Sequence, residues 1–120
     1  MQPTQTILFT DQDASVDAIS RVREQCLNYG WTVVINKTGT DANGKVIIET
    51  SQDGLVWFPY IDPEICTENG IIANSEILLD EDDVMITDEF FHGYHFRMRY
   101  VANGTTTGTI NAVLKEKIRS

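Results

Sequence analysis

The residues with the most obvious chemical potential are acids. Asp80, Glu81, Asp82 and Asp83 run consecutively, and Asp88 and Glu89 follow closely. Clustered carboxylates can ligate Ca²⁺, which takes about six to eight oxygens. The spacing here lacks the glycine and the closing glutamate of an EF-hand loop, so the stretch reads as a solvated acidic loop rather than a metal site. A general acid/base pair needs two carboxylates in a cleft with separated pKa values, which an exposed run does not supply. His92 and His95 would meet on a helix but point apart on a strand. His95 alternates with Arg97 and Arg99, which makes it a surface polar residue and argues against a metal pair. Cys26 and Cys66 belong to no CxxC motif and no His/Cys cluster. They are expected as reduced thiols, with a Cys26–Cys66 bridge left open. No G-x-S-x-G nucleophile motif or Gly-rich phosphate loop occurs, and the Gly104–Gly108 loop has no basic partner for a phosphate. The expectation is a protein with no catalytic residues, no cofactor and no metal, and therefore not an enzyme.

The elements that carry these residues are read from turns and alternation. The 120 residues suit one domain, spanning 1–120, with 42% hydrophobic and 22% charged residues. Turn signals fall at Asp41–Gly44, at Gln52–Gly54 and from Asn103 to Gly108. Between them lie short segments rich in Val, Ile, Thr and aromatics, which favour strands. Tyr29–Lys37, Lys45–Thr50 and Leu55–Ile61 read as a meander. Its firmest part is the pairing of the last two across Asp53-Gly54, and Pro59 marks an edge or a bulge. Val46 and Ile48 share one face, Ile47 and Glu49 the other. Tyr94, Phe96, Met98 and Tyr100 form an apolar row opposite His95, Arg97 and Arg99. With Ile110, Ala112 and Leu114 on a following strand, this suggests a second hairpin. Ile71–Leu79 contains material for another strand. Ser15–Asn28 is ambiguous: Val16, Ile19, Val22 and Cys26 recur at helical spacing, yet strand or irregular structure fits as well. The fold class predicted is all-β, a single antiparallel β-sandwich of jelly-roll or discoidin-like type.

The net charge of −9 disfavours binding to phosphate backbones. The N-terminus lacks the basic, long apolar pattern of a signal peptide, and no run approaches the length of a membrane span. Neither nucleic acid nor membrane is therefore an expected partner.

Two segments carry a resemblance. Gly44 to Trp57, with Glu49, Ser51, Asp53 and Gly54 between, follows a pattern G-x-hydrophobic-x-hydrophobic-E-x-S-x-D-G-x-x-W. Phe96 to Val101 and Gly108 to Lys115 follow hydrophobic-R-hydrophobic-x-Y and then G-T-I-N-A-x-L. Together they resemble small β-sandwich structural proteins of tailed bacteriophages, over roughly 29–61 and 90–117. The S-x-D-G-x-x-W part is shared with discoidin-like carbohydrate-binding sandwiches. The resemblance implies a virion structural protein made in the host bacterial cytoplasm, and within that class a capsid-associated or decoration component. It implies partners among other capsid, neck or tail proteins, and a homo-oligomer or symmetric multi-copy assembly. The alternatives are a tail or neck component and a glycan-binding module, the latter using exposed aromatics. The unaligned stretch 62–89 reads as an insertion-like loop suited to partner contacts.

Overall fold

In the computed structural model, residues 3–24, 30–42, 44–60, 76–79, 82–88 and 94–117 are described. They contain nine strands: β1 (Pro3–Asp13), β2 (Ala18–Ile19), β3 (Trp31–Thr38), β4 (Lys45–Ser51), β5 (Phe58–Pro59), β6 (Glu76–Leu78), β7 (Asp83–Asp88), β8 (His95–Val101) and β9 (Thr109–Lys117). One sheet has the order β1-β9-β3-β7; the other has β2-β8-β4-β5, with β6 also paired to β4. Every pairing is antiparallel. The first strand pairs with the last, the second with the second-last, the third with β7, and β4 with β5 and β6. A long two-stranded ribbon wrapped into two facing sheets gives this order, which is that of a jelly roll. The predicted all-β sandwich is the fold observed.

The core lies between the sheets. Trp31, Val33 and Ile35 of β3 and Ile110, Ala112 and Leu114 of β9 face Val46 and Ile48 of β4 and Phe96, Met98 and Tyr100 of β8. Trp31 is the hub: its ring meets Phe96 edge-on at 5.5 Å and Tyr60 at 6.0 Å. Edge-to-face geometry places positive ring edges against negative faces. The Tyr100 hydroxyl donates to the Ala14 carbonyl at 2.8 Å, so the one polar atom of that buried ring is partnered. Burial pushes the Tyr100 phenol above its ordinary pKa.

The expected pairing across Asp53-Gly54 is present, as β4 with β5, but the rest of the meander and the second hairpin are corrected. β3 and β4 lie in different sheets, and so do β8 and β9. Alternation specifies which face of a strand is apolar, but not which strand is its neighbour. The connections 39–44 and 102–108 therefore cross between the sheets, and they are stitched to each other. Asp41 accepts the Thr106 N–H at 2.7 Å, the Thr107 N–H at 3.2 Å and the Thr106 hydroxyl, while the Thr107 hydroxyl donates to the Gly39 carbonyl at 2.8 Å. Gly108, at φ 102°, leaves room for Thr38 and Thr40, since a Cβ there would lie 2.6 Å from the Thr38 carbonyl oxygen.

These donors, led by the Thr106 hydroxyl, hold the Asp41 carboxyl down at about 2, against an ordinary value of 3.8. A carboxyl whose folded pKa is depressed stabilises the fold fully above its unfolded pKa and loses that contribution as pH falls through the folded value. Wild-type melting temperature is thus expected to fall between about pH 4 and about pH 2. Asp41→Asn should melt lower at neutral pH, with a shallower slope in that acid window. Equal slopes for the two proteins in a thermal scan across pH would contradict the assignment.

Within the ambiguous Ser15–Asn28 segment, the described residues form a turn followed by β2 and an isolated bridge from Arg23 to Phe96. The strand expected over Leu55–Ile61 is shorter: among the described residues only Phe58 and Pro59 pair, with Thr50 and Glu49. It is an edge strand, which is where a proline is tolerated. The stretch 62–89 is not a loop throughout, because β6 extends one sheet and β7 forms an edge of the other.

Candidate functional site

The site sits on the outer face of the five-stranded sheet, where β4 runs into the loop 52–57. Along β4 the odd positions Ile47, Glu49 and Ser51 face away from the core. Glu49 and Ser51 are nevertheless buried, because the loop folds back over them. Glu49 lies directly opposite Arg97 in the β4–β8 register, with Arg99 opposite Ile47. The Arg97 Nε donates to Glu49 Oε1 at 2.7 Å, and an Arg99 terminal nitrogen lies 3.3 Å from Oε2. The Arg97 guanidinium also rests 4.1 Å from the centre of the Trp57 ring, a cation–π contact worth about 0.5–2 kcal/mol. Both carboxylate oxygens are engaged by guanidinium groups. The cluster is therefore suited to fixing Arg97 against Trp57, and through it the loop, rather than to moving protons.

The loop is tied from within. Ser51 Oγ accepts the N–H of Gly54 at 2.8 Å and that of Asp53 at 3.3 Å, and its hydroxyl donates to Asp53 Oδ1 at 3.1 Å. Asp53 Oδ1 in turn accepts the N–H groups of Val56 at 3.0 Å and Leu55 at 2.8 Å. Those amide donors, Val56 first, hold the Asp53 carboxyl below its ordinary pKa. Gly54 takes φ 79°, in the left-handed region that only glycine enters without strain. The recognisable residues of the S-x-D-G-x-x-W pattern thus divide the work between them. Ser51 and Asp53 close the loop, Gly54 turns it, and Trp57 seats it.

What this scaffold presents is apolar. Leu55 is 84% exposed, Val56 55% and Phe58 60%. Large exposed hydrophobic side chains in one short stretch, two on the tied loop and Phe58 on β5 directly after it, are the kind of feature that marks an interaction surface.

Of the acidic run, Asp82, Asp83 and Asp88 are among the described residues. Asp82 and Asp83 are exposed; the Asp82 carbonyl accepts the Lys37 N–H at 2.8 Å, and Asp83 accepts from the Asn36 amide at the start of β7. Among the described residues no group of three His, Cys, Asp or Glu is placed to hold a metal ion. His95 lies on the outer face as expected, edge-on to Tyr94 at 4.8 Å. Of the candidate aromatics for a sugar platform, Trp31, Tyr60, Phe96 and Tyr100 are core residues. Phe58 and Tyr94 remain at the surface, and Arg97 lies over the Trp57 ring. Cys26, Tyr29, Cys66, Ile71–Ser75, Asp80, Glu81, Glu89, Phe90, Phe91 and His92 lie outside the described residues.

One buried ion pair has no counterpart among the sequence expectations. Glu116 continues the inward series Ile110, Ala112, Leu114 and is buried, with its Oε1 accepting from Arg23 Nε at 2.7 Å. The period-two register that buries Leu114 also turns residue 116 inward, so the alternation does contain a signal for it. No described helix is long and apolar enough to cross a membrane. No protein-family model, curated protein or solved structure matches this chain.

Proposed function

We propose that this chain is a structural protein of a tailed-bacteriophage particle, associated with the capsid as a decoration component, and that it acts by docking onto other particle proteins without turning over a substrate. The observation that carries the docking reading is the Leu55–Val56–Phe58 patch on a loop that Ser51 and Asp53 hold in one shape. A loop ordered before contact loses less entropy on binding, and its exposed apolar side chains gain most when a partner covers them. The resemblance in the Gly44–Trp57 and Gly108–Lys115 segments supplies the choice of particle. Jelly rolls serve in viral capsids and in lectins alike, so the fold supports this choice without deciding it. A glycan-binding module is the weaker reading, because four candidate aromatics are core and Arg97 lies over the Trp57 ring.

The test is a double substitution, Leu55→Asp with Val56→Asp, made in the phage genome. Both side chains are exposed, so stability should change by only about 0.5 kcal/mol. Two apolar contacts of about 1.5 kcal/mol or more each are removed, which predicts a loss of particle occupancy of about 100-fold. Quantitative mass spectrometry of purified particles reads the outcome. A folded variant incorporated at the wild-type level would refute the docking loop, and absence of the wild-type chain from particles would refute the virion reading.

A further inference from the structure

An apolar row crosses the outer face of the four-stranded sheet. The register sets Ile7 of β1 opposite Val113 of β9, Val113 opposite Val34 of β3, and Val34 opposite Met85 of β7. The strand neighbours of Val113, Val34 and Met85 turn inward, so the row points away from the core. Ile7 is 48% exposed and Met85 68%, at the two edges of the sheet, and Val113 and Val34 between them are half-buried. Three strand spacings of about 4.8 Å make the row about 14 Å long.

The rows on either side are polar, and they differ in charge. Toward the C-terminal end of β9 lie Gln5, Lys115, Thr32 and Thr87, with Lys117 beyond. Toward its N-terminal end lie Asp11, Asn111, Asn36 and Asp83, with Asp13 opposite Thr109 beyond. Lys115, Lys117, Asp11, Asp13 and Asp83 are all exposed. The acids accept from neutral groups: the Asn111 amide on Asp11 at 3.4 Å, the Ser15 hydroxyl on Asp13 at 2.7 Å, and the Asn36 amide on Asp83. Such bonds leave the negative charges uncompensated. Four residues of β9 separate the Lys115 row from the Asn111 row, about 13 Å, so the two ends of the face stay apart within one copy.

This pattern is self-complementary. A two-fold axis laid along the apolar row sets each row residue against its own counterpart and exchanges the two ends of the face. Lys115 of one copy then falls over Asn111 and Asp11 of the other, and Lys117 over Thr109 and Asp13, each contact being made twice. An axis parallel to the strands would instead lay the basic end on the basic end. The described residues of the face include two bases and three acids, so most of the net charge of −9 lies elsewhere and does not oppose the contact. A different partner would need the same arrangement, bases and acids on opposite sides of an apolar row, which this chain already supplies.

We infer that the chain pairs with a second copy of itself through the Ile7–Val113–Val34–Met85 face, as a symmetric dimer. Four strands about 4.8 Å apart, and about 26 Å from Thr109 to Lys117, give a footprint of about 500 Å² per copy. Twice that is small for a specific contact, so the dimer is weak and forms at high concentration. The Leu55–Phe58 loop belongs to the other sheet and stays free for a different protein.

Sedimentation velocity on the purified full-length chain tests this between about 0.01 and 1 mM, the range of a weak contact. Wild type should pass reversibly from monomer to dimer and no further, and added salt should shift it toward monomer. Met85→Lys sets like charges face to face on the axis, and Lys115→Glu sets an acid over Asp11. Each should weaken the dimer at least about tenfold, because symmetry repeats the loss. Lys115→Glu combined with Asn111→Lys should restore it. The loop variant Leu55→Asp, Val56→Asp should dimerise as wild type does. Circular dichroism and melting curves establish that each variant is folded before it is scored. Wild type that stays monomeric at about 1 mM, undiminished dimers of Met85→Lys and Lys115→Glu, a folded double variant as weak as Lys115→Glu, or loss of the dimer in the loop variant would each overturn the two-fold contact.

Discussion

Replacing Arg23 with methionine is expected to destabilise the fold by about 3 kcal/mol. Arg23 bridges to β8 through its backbone, exchanging bonds of 2.8 and 2.9 Å with Phe96. Its side chain reaches to Glu116 on β9 in the other sheet. The pair thus links the two sheets. The Glu116 side chain has no exposed surface, while that of Arg23 is 27% exposed. Removing the arginine takes this partner away from a buried carboxylate, and breaking such a pair costs about 3–5 kcal/mol; the partial exposure of Arg23 puts the value at the low end. The double variant Arg23→Met, Glu116→Leu should regain most of the loss, because no charge is then stranded in the core. Urea denaturation with unchanged m-values measures both. A single variant within about 1 kcal/mol of wild type would contradict the role of this pair.

Phe96→Ala is expected to be more damaging still, at about 3–5 kcal/mol. Phe96 is fully buried and projects from β8 onto Trp31 of β3, so it fills the space between the sheets at the hub of the core. The loss combines transfer of the ring to water with the cavity left behind, and the edge-on contact with Trp31 adds about 0.5–1.5 kcal/mol. A domain of this size has roughly 5–15 kcal/mol in total, so the variant should unfold at far lower urea. Phe96→Leu, which retains most of the volume, should lose less than half as much. Equal losses for the two would mean that retained volume gives no benefit and that the shape of the ring, not the space it fills, carries the contribution.

The faces of the strands are more legible in the sequence than their partners. Val46 and Ile48, Phe96, Met98 and Tyr100, and Ile110, Ala112 and Leu114 are all inward-facing as their alternation implies. Which sheet each strand joins depends on contacts far along the chain, such as Asp41 with Thr106, and local pattern does not encode these. β1 is hidden for a different reason. Its pairing with β9 shifts register between Ile7 and Phe9, and Leu8 and Phe9 are both buried, so the bulge erases the period of two. In β7, Val84 and Ile86 alternate with exposed neighbours, but the acids before and after them read as a loop. Val16, Ile19 and Val22 keep helical spacing without a helix: Ile19 is exposed on the edge strand β2, and Val16 and Val22 are exposed in the turn before it and the segment after it. Of the candidate site, Asp53-Gly54 and Trp57 are legible as a turn and a packing residue. The presentation of Leu55 and Val56 to solvent is not, because apolar residues after a turn ordinarily signal a strand.

Docking through the Leu55–Phe58 loop is most directly tested by electron cryomicroscopy of the intact particle. The expected result is density for this jelly roll in symmetric copies on the capsid, with Leu55, Val56 and Phe58 covered by a neighbouring protein surface. Density in which the loop points into solvent while another face makes the contacts, or particles that lack the chain, would contradict it.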